Sequence, residues 1–308
     1  MNLAPVLIFT YNRIHHIKET IEKLSLNDLA KDSEIFIYSD GPKNIYDTEN
    51  VEIVRKYLKK INYFKSITLI FREKNYGLSK NIIEGVTEIC NKYGKVIVLE
   101  DDLVTSPFFL TFMNEAIEKY KTNPNVSSIH GYVYPTNIEL PETFFIKGAD
   151  CWGWATWTSS WKTFEKNGKI LLNEIIKRKL TKEFNFNNTF DYVQMLEDQI
   201  NGNNNSWAIR WHASCFLNNM YTLYPGKSLV SNIGFDNSGT HSGQTKIFEQ
   251  RNYNQKIIIK DLLVENNQIA YKAFQNYFKR NKFYKSFFKK LIIKILPSKL
   301  FFFIIKYK

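Results

Sequence analysis

The chain has 308 residues, 44% of them hydrophobic, which is enough to bury the core of one large domain or two modest ones and excludes a disordered array. Its net charge of +12 raises nucleic acid, a membrane surface or an acidic substrate as partners; yet Lys279 to Lys308 hold ten Lys and Arg and no acid, so the other 278 residues carry +2 (12 minus 10). Charge confined to one end argues against nucleic acid, and three scattered cysteines, Cys90, Cys151 and Cys215, with no CxxC pair, argue against a disulfide framework or a zinc site and for a reducing compartment.

In chain order, Val6 to Phe9 reads as a short buried strand, too short and too little preceded by basic residues to act as a secretion signal. Ile14, Ile17, Ile21 and Leu24 recur at helical spacing. A second strand, Glu34 to Tyr38, stops at the turn Ser39-Asp40-Gly41-Pro42, and a helix follows from about Glu49 to Lys60. Ile67 to Phe71 predicts a third strand, Leu78 to Cys90 a third helix, Val96 to Leu99 a fourth strand and Phe108 to Tyr120 a fourth helix. Strand and helix in alternation, joined by short connections, imply a mainly parallel sheet flanked by helices, with ligands at the carboxyl ends of the strands. After Pro124 the regularity gives way to an aromatic, Gly-rich half. These shifts divide the chain into residues 1–125, 126–245 and a tail, 246–308.

In the tail, Phe283, Phe287, Leu291 and Ile295 repeat every four residues between lysines until Pro297. This is an amphipathic basic helix, interrupted too often by charge to span a bilayer, and it predicts a protein lying on an anionic membrane surface from the cytoplasmic side. The plainer alternative is a terminal helix packed on the domain.

Chemistry concentrates where Val96-Ile97-Val98-Leu99 runs into Glu100-Asp101-Asp102. Three adjacent carboxylates at the mouth of a buried strand need solvent, hydrogen bonds or a cation, and Mn2+ or Mg2+ suits oxygen ligands that leave room for phosphate. The other explanation is an acidic loop capping the helix that follows. Asp150-Cys151-Trp152-Gly153-Trp154-Ala155-Thr156-Trp157 crowds three indoles around a glycine, either a sugar-stacking wall or an aromatic core.

Thr10-Tyr11-Asn12-Arg13 after the first strand, Ser39-Asp40-Gly41 after the second, Asn75-Tyr76-Gly77-Leu78-Ser79 before the third helix and Glu100-Asp101-Asp102 after the fourth strand form an ordered set. Over residues 1 to 245 this set resembles GT-A glycosyltransferases, those of family 2 and the N-acetylglucosaminyltransferase I-like group; the Trp-Gly-Trp-Ala-Thr-Trp string looks like one found in bacterial surface-polysaccharide transferases. The resemblance implies a metal-dependent inverting transfer from a nucleotide sugar, UDP-linked and with UDP-GlcNAc among the candidates, to a growing bacterial glycan or lipid-linked saccharide. It puts Thr10, Tyr11, Arg13, Asp40, Arg72, Gly77, Glu100 and Asp101 around the donor and Trp152, Gly153 and Trp154 around the sugars. Asp102 and His241 would ligate the metal, manganese ahead of magnesium, and the glycines flanking His241 would suit a loop closing over bound donor. The general base would be Asp198 of Leu196-Glu197-Asp198-Gln199, with Asp191 and Glu197 in reserve. A sugar-phosphate nucleotidyltransferase is the nearest rival, although Thr10 to Arg13 lacks the glycines of its phosphate loop; a non-catalytic nucleotide-sugar or glycan-binding subunit is the other.

Overall fold

The computed structural model describes residues 2–238 and 245–295. Strands β1 (Val6–Thr10), β2 (Glu34–Ser39), β3 (Ser66–Phe71) and β4 (Lys95–Glu100) alternate with helices α1 (Ile14–Ser25), α2 (Ile45–Leu58) and α3 (Leu78–Tyr93). They pair in parallel in the order β3-β2-β1-β4, with Val6 opposite both Ile35 and Ile97. Side chains of β1 and β4 alternate between the faces of the sheet: Val6, Ile8, Ile97 and Leu99 join one core with α1 and Phe109, while Leu7, Phe9, Val96 and Val98 join the other with α3. Helices cover both faces because both faces are apolar.

Helix α2 starts at Ile45, earlier than hydrophobic spacing alone predicts, because the Asn44 side chain accepts the amides of Tyr46 and Asp47 and closes its first turn. The three-residue strand β5 (Leu103–Thr105), too short to show in periodicity, leads into α4 (Phe109–Tyr120).

Beyond residue 125 the sheet continues with β6 (Val126–His130), β7 (Thr143–Lys147), β8 (Trp154–Trp157) and β9 (Tyr221–Pro225). Its full order is β3-β2-β1-β4-β8-β6-β9-β7, and β8 lies antiparallel to β4 with Trp154 opposite Val98. The expectation of a mainly parallel sheet therefore holds for the first four strands, whereas β8 and β7 pair only antiparallel. Short helices fill the connections: α5 (Thr158–Trp161), α6 (Gly168–Lys177), α7 (Thr181–Phe184), α8 (Tyr192–Ile200) and α9 (Trp207–Leu217). Strand β10 (Val230–Asn232) returns to pair with β5, Asn232 opposite Leu103.

The chain ends in α10 (Gln268–Ile295), whose first turns are part of the domain. Ala270, Ala273, Phe274, Tyr277 and Phe278 are buried against Val133, Phe144, Phe186 and Tyr224, and the run of basic residues in the sequence begins at Lys279. Among the described residues no helix is long and apolar enough to cross a membrane.

Candidate functional site

The acidic triplet lies at the carboxyl end of β4, beside the loops that follow β1 and β2. Asp101 is only 4% exposed and is surrounded by donors: Thr10 Oγ1 donates to its Oδ2 at 3.1 Å, the Tyr11 amide approaches the same oxygen at 3.5 Å, and Thr20 Oγ1 donates to its carbonyl at 2.8 Å. One guanidinium nitrogen of Arg13, Nη2, bridges Asp101 Oδ1 and, at 2.7 Å, Asp102 Oδ2. Burial works against the Arg13 charge, but the two aspartates outweigh it and hold the group protonated. Arg13 is thus engaged by carboxylates, and its other terminal nitrogen, Nη1, is buried with no partner among the described residues.

Counted as ionised, three carboxylates against one guanidinium leave a formal surplus of two negative charges, which the Glu100 carboxyl, pushed up to about 8, lowers toward one near neutral pH. Glu100 registers the surplus, since burial, then the charges of Asp102 and Asp101, push its carboxyl above the usual range, and Arg13 only partly offsets them. Burial likewise raises Asp101 against the pull of Arg13. A divalent cation fits such a cluster: it would cancel the excess charge, and Asp102, less deeply buried than Asp101, is the carboxylate best placed to meet it. Among the described residues no three His, Cys, Asp or Glu side chains already form a cage. His241, the other expected ligand, lies outside the described residues, but the segment leading to it passes the triplet. The Ile233 amide donates to the Asp102 carbonyl at 2.9 Å, Gly234 packs so closely that a Cβ would collide with Asp102 Oδ2, and Asp236 reaches His16 at 3.2 Å.

Asp40 is occupied by backbone. The amides of Gly41 and Tyr76 donate to Oδ1 at 2.9 and 2.8 Å, and that of Gly77 to Oδ2 at 2.9 Å. The carboxylate ties the turn after β2 to the loop opening α3. Gly41 packs against the backbone of Lys74 with no room for a Cβ, and Gly77 needs its left-handed φ of 74°. Arg55, which motif reading missed, braces the same turn through the carbonyls of Asp40 and Arg72, at 3.2 and 2.7 Å. Arg72 donates to Asn81 Oδ1 at 3.1 Å and lies over the Tyr76 ring at 4.6 Å. Tyr11 joins the first two loops by accepting the Lys43 amide at its hydroxyl, 2.9 Å.

The aromatic string divides. Gly153 has φ of +65°, and this twist sends its two neighbours to opposite faces of the sheet. Trp152 remains partly exposed, edge-on to Tyr132, Phe235 and Phe248 at 4.7, 5.6 and 5.3 Å. Trp154, expected to line a sugar wall, is 1% exposed and packs with Trp161, Trp207 and Trp211 behind the sheet, so it is core. The expectation for Gly153 is corrected too: a Cβ there would meet Val230 Cγ2 at 2.7 Å and the Phe109 ring at 3.2 Å, so what the glycine admits on that side is internal packing and not a ligand. Asp198 lies on α8, partly exposed, its Oδ1 accepting from Gln194 and Asn203 at 3.3 Å each.

The model of the family described as "Glycosyl transferase family 2" matches residues 6–184, more than half of the chain. No curated protein matches the sequence. Among solved structures, the mannosyltransferase PcManGT from Pyrobaculum calidifontis, in complex with GDP-Man and Mn2+, is similar over 43% of this chain and 38% of its own, at 14% identity and a TM-score of 0.29. S. aureus TarS is similar over 48% of this chain and 25% of its own, at 17% identity and a TM-score of 0.32. TarS 1-349 is similar over 51% and 48%, at 15% identity and a TM-score of 0.34. The chain spans less than half the length of each.

Proposed function

The chain belongs to glycosyl transferase family 2, with a GT-A fold, and from this we propose that it is a metal-dependent, inverting enzyme that moves a sugar from a UDP-linked donor, with UDP-GlcNAc among the candidates, to a growing bacterial surface glycan or lipid-linked saccharide. The observation that carries the reading is the excess of two carboxylates over cations at the end of β4, among the loops after β1 and β2 and before α3. Tyr11, Asp40, Arg72 and Gly77 shape the nucleoside side of the site. Thr10 steadies Asp101, and Asp101 with Asp102 holds Arg13, which places a guanidinium charge beside the end of β4 where a diphosphate would lie. Glu100 faces the donor sugar, and Asp102 with His241 would hold Mn2+, or failing that Mg2+. Bound there, the ion would supply positive charge to the departing diphosphate.

Asp198 takes the proton of the attacking hydroxyl at its carboxylate, and Trp152 offers the aromatic face for a sugar. Beyond Lys279 the basic stretch would hold the enzyme to the anionic cytoplasmic face of the membrane, where lipid-linked acceptors are found.

Thermal melting with a panel of nucleotide sugars, with and without Mn2+, tests the donor assignment. A UDP-sugar at about a hundred times its dissociation constant adds roughly 2.7 kcal/mol of stability. Asp102→Asn should abolish the metal-dependent part of that shift and lower transfer at least about a hundredfold. A wild-type protein whose melting no nucleotide diphosphate sugar changes, in either condition, removes the proposal.

A further inference from the structure

Asp150 belongs to none of the roles above, yet its surroundings are unusual for a carboxylate. Strand β8 begins opposite Val98, so residues 150–152 run back past the end of β4, where the acidic triplet lies. The Cys151 thiol reports this proximity: burial pushes it well up, and the charges of Asp150, Glu100 and Asp102 all push in the same direction. Tyr134 Oη donates to Asp150 Oδ2 at 2.9 Å, Tyr224 Oη to the same oxygen at 3.4 Å, and the Cys151 amide to Oδ1 at 2.9 Å. Among the described residues no lysine or arginine pairs with Asp150. Asp150, Tyr134, Cys151 and Trp152 are each partly exposed, while Tyr132, Tyr224 and His130 behind them are buried.

A carboxylate accepts about four hydrogen bonds, and here three are supplied. With no lysine or arginine against it among the described residues, the remaining capacity is open to a donor from solvent or ligand and repels an anionic group. The site is also rigid. The Tyr134 ring is enclosed by Phe274, Tyr277 and Phe278 of α10 at 5.0, 5.3 and 5.1 Å, which fixes the hydroxyl that orients Asp150.

We propose that Asp150, oriented by Tyr134 and Tyr224, anchors the acceptor by taking a hydrogen bond from a hydroxyl of a neutral saccharide resting against Trp152, and rejects saccharides that carry an anionic group at that place. The assignment rests on the transferase reading and gives it an acceptor class: the Asp150 carboxylate, with no lysine or arginine paired to it among the described residues, makes this place hostile to uronates and phosphorylated sugars.

The probes are p-nitrophenyl glycosides, neutral (glucoside, galactoside, N-acetylglucosaminide) and acidic (glucuronide), used in transfer assays with the donor found by thermal melting and, independently of turnover, in saturation-transfer NMR. Wild-type protein should bind the neutral set and discriminate against the glucuronide. Asp150→Asn should raise the KM of the neutral acceptor about tenfold, the loss of a hydrogen bond to a charged group, with a smaller change in kcat and a narrower preference over the glucuronide. Tyr134→Phe keeps the ring packing and should act in the same direction more weakly. Neutral and acidic glycosides bound alike by wild type, or by neither variant differently from wild type, would overturn the assignment; so would donor and acceptor KM rising together with a fallen melting temperature, the mark of a purely structural Asp150. If wild type binds and discriminates among these glycosides but turns over no donor, it is the transferase reading that fails, and the anchor survives as a saccharide site.

Discussion

In residues 1–125 most strands are followed closely by the helix that covers them, whereas in residues 126–281 neighbours in space come from distant stretches of chain: β9 (Tyr221–Pro225) is inserted between β6 (Val126–His130) and β7 (Thr143–Lys147). The two regions also hold their carboxylates differently. Asp40 is fixed by three backbone amides within loops adjoining β2 and α3, and Asp101 by Thr10, Arg13 and the turn after β1. Asp150 depends on two tyrosine hydroxyls, themselves placed by an aromatic stack that reaches α10. The strand–helix units of the first region are thus local, but both carboxylates are closed over distance, Asp101 by Thr10 and Arg13, 91 and 88 positions away, and Asp150 by Tyr134 and Tyr224, 16 and 74 positions away, so each closure costs chain entropy.

Substitutions can break that comparison or sharpen it. The largest effect is expected in the second region: Trp154→Ala removes the centre of the indole cluster and should cost about 4 kcal/mol in urea or thermal unfolding. A loss under about 1 kcal/mol would show that the cluster is not the hub of that half. Asp40→Ala should cost about 2 kcal/mol by freeing the amides of Gly41, Tyr76 and Gly77, and should weaken nucleotide binding in calorimetric titration. Stability lost without any change in binding would mean that the α3 loop does not depend on this clamp. The smallest, Asn44→Ala, should lower stability by about 1 kcal/mol, the value of one helix cap, with transfer activity retained; a larger loss would mean that the first region is less modular than its topology suggests.

The same contrast explains what could be read from the residues alone. Strands β1 to β4 and helices α1, α3 and α4 follow from hydrophobic periodicity to within a few residues, because each carries an apolar pattern of its own. The acidic triplet was legible for the same reason: four apolar residues followed by three acids read as a buried strand whose end meets solvent, hydrogen-bond donors or a cation. Periodicity could not separate Trp152 from Trp154, since two residues apart on a regular strand they would share a face; the left-handed Gly153 decides otherwise. Nor could it show that Asp40 faces amides thirty-six residues ahead, or that Tyr134 and Tyr224 meet at one oxygen of Asp150. Asp150 stood at the head of the aromatic string, and only the antiparallel course of β8 brings it beside β4.

Because Phe274, Tyr277 and Phe278 wedge the ring that steadies Asp150, α10, made after every strand of the sheet, is also the element that completes the surroundings of this carboxylate. A nascent chain could fold its first four strands before α10 was made, but the tyrosine that orients Asp150 would still lack the rings that enclose it.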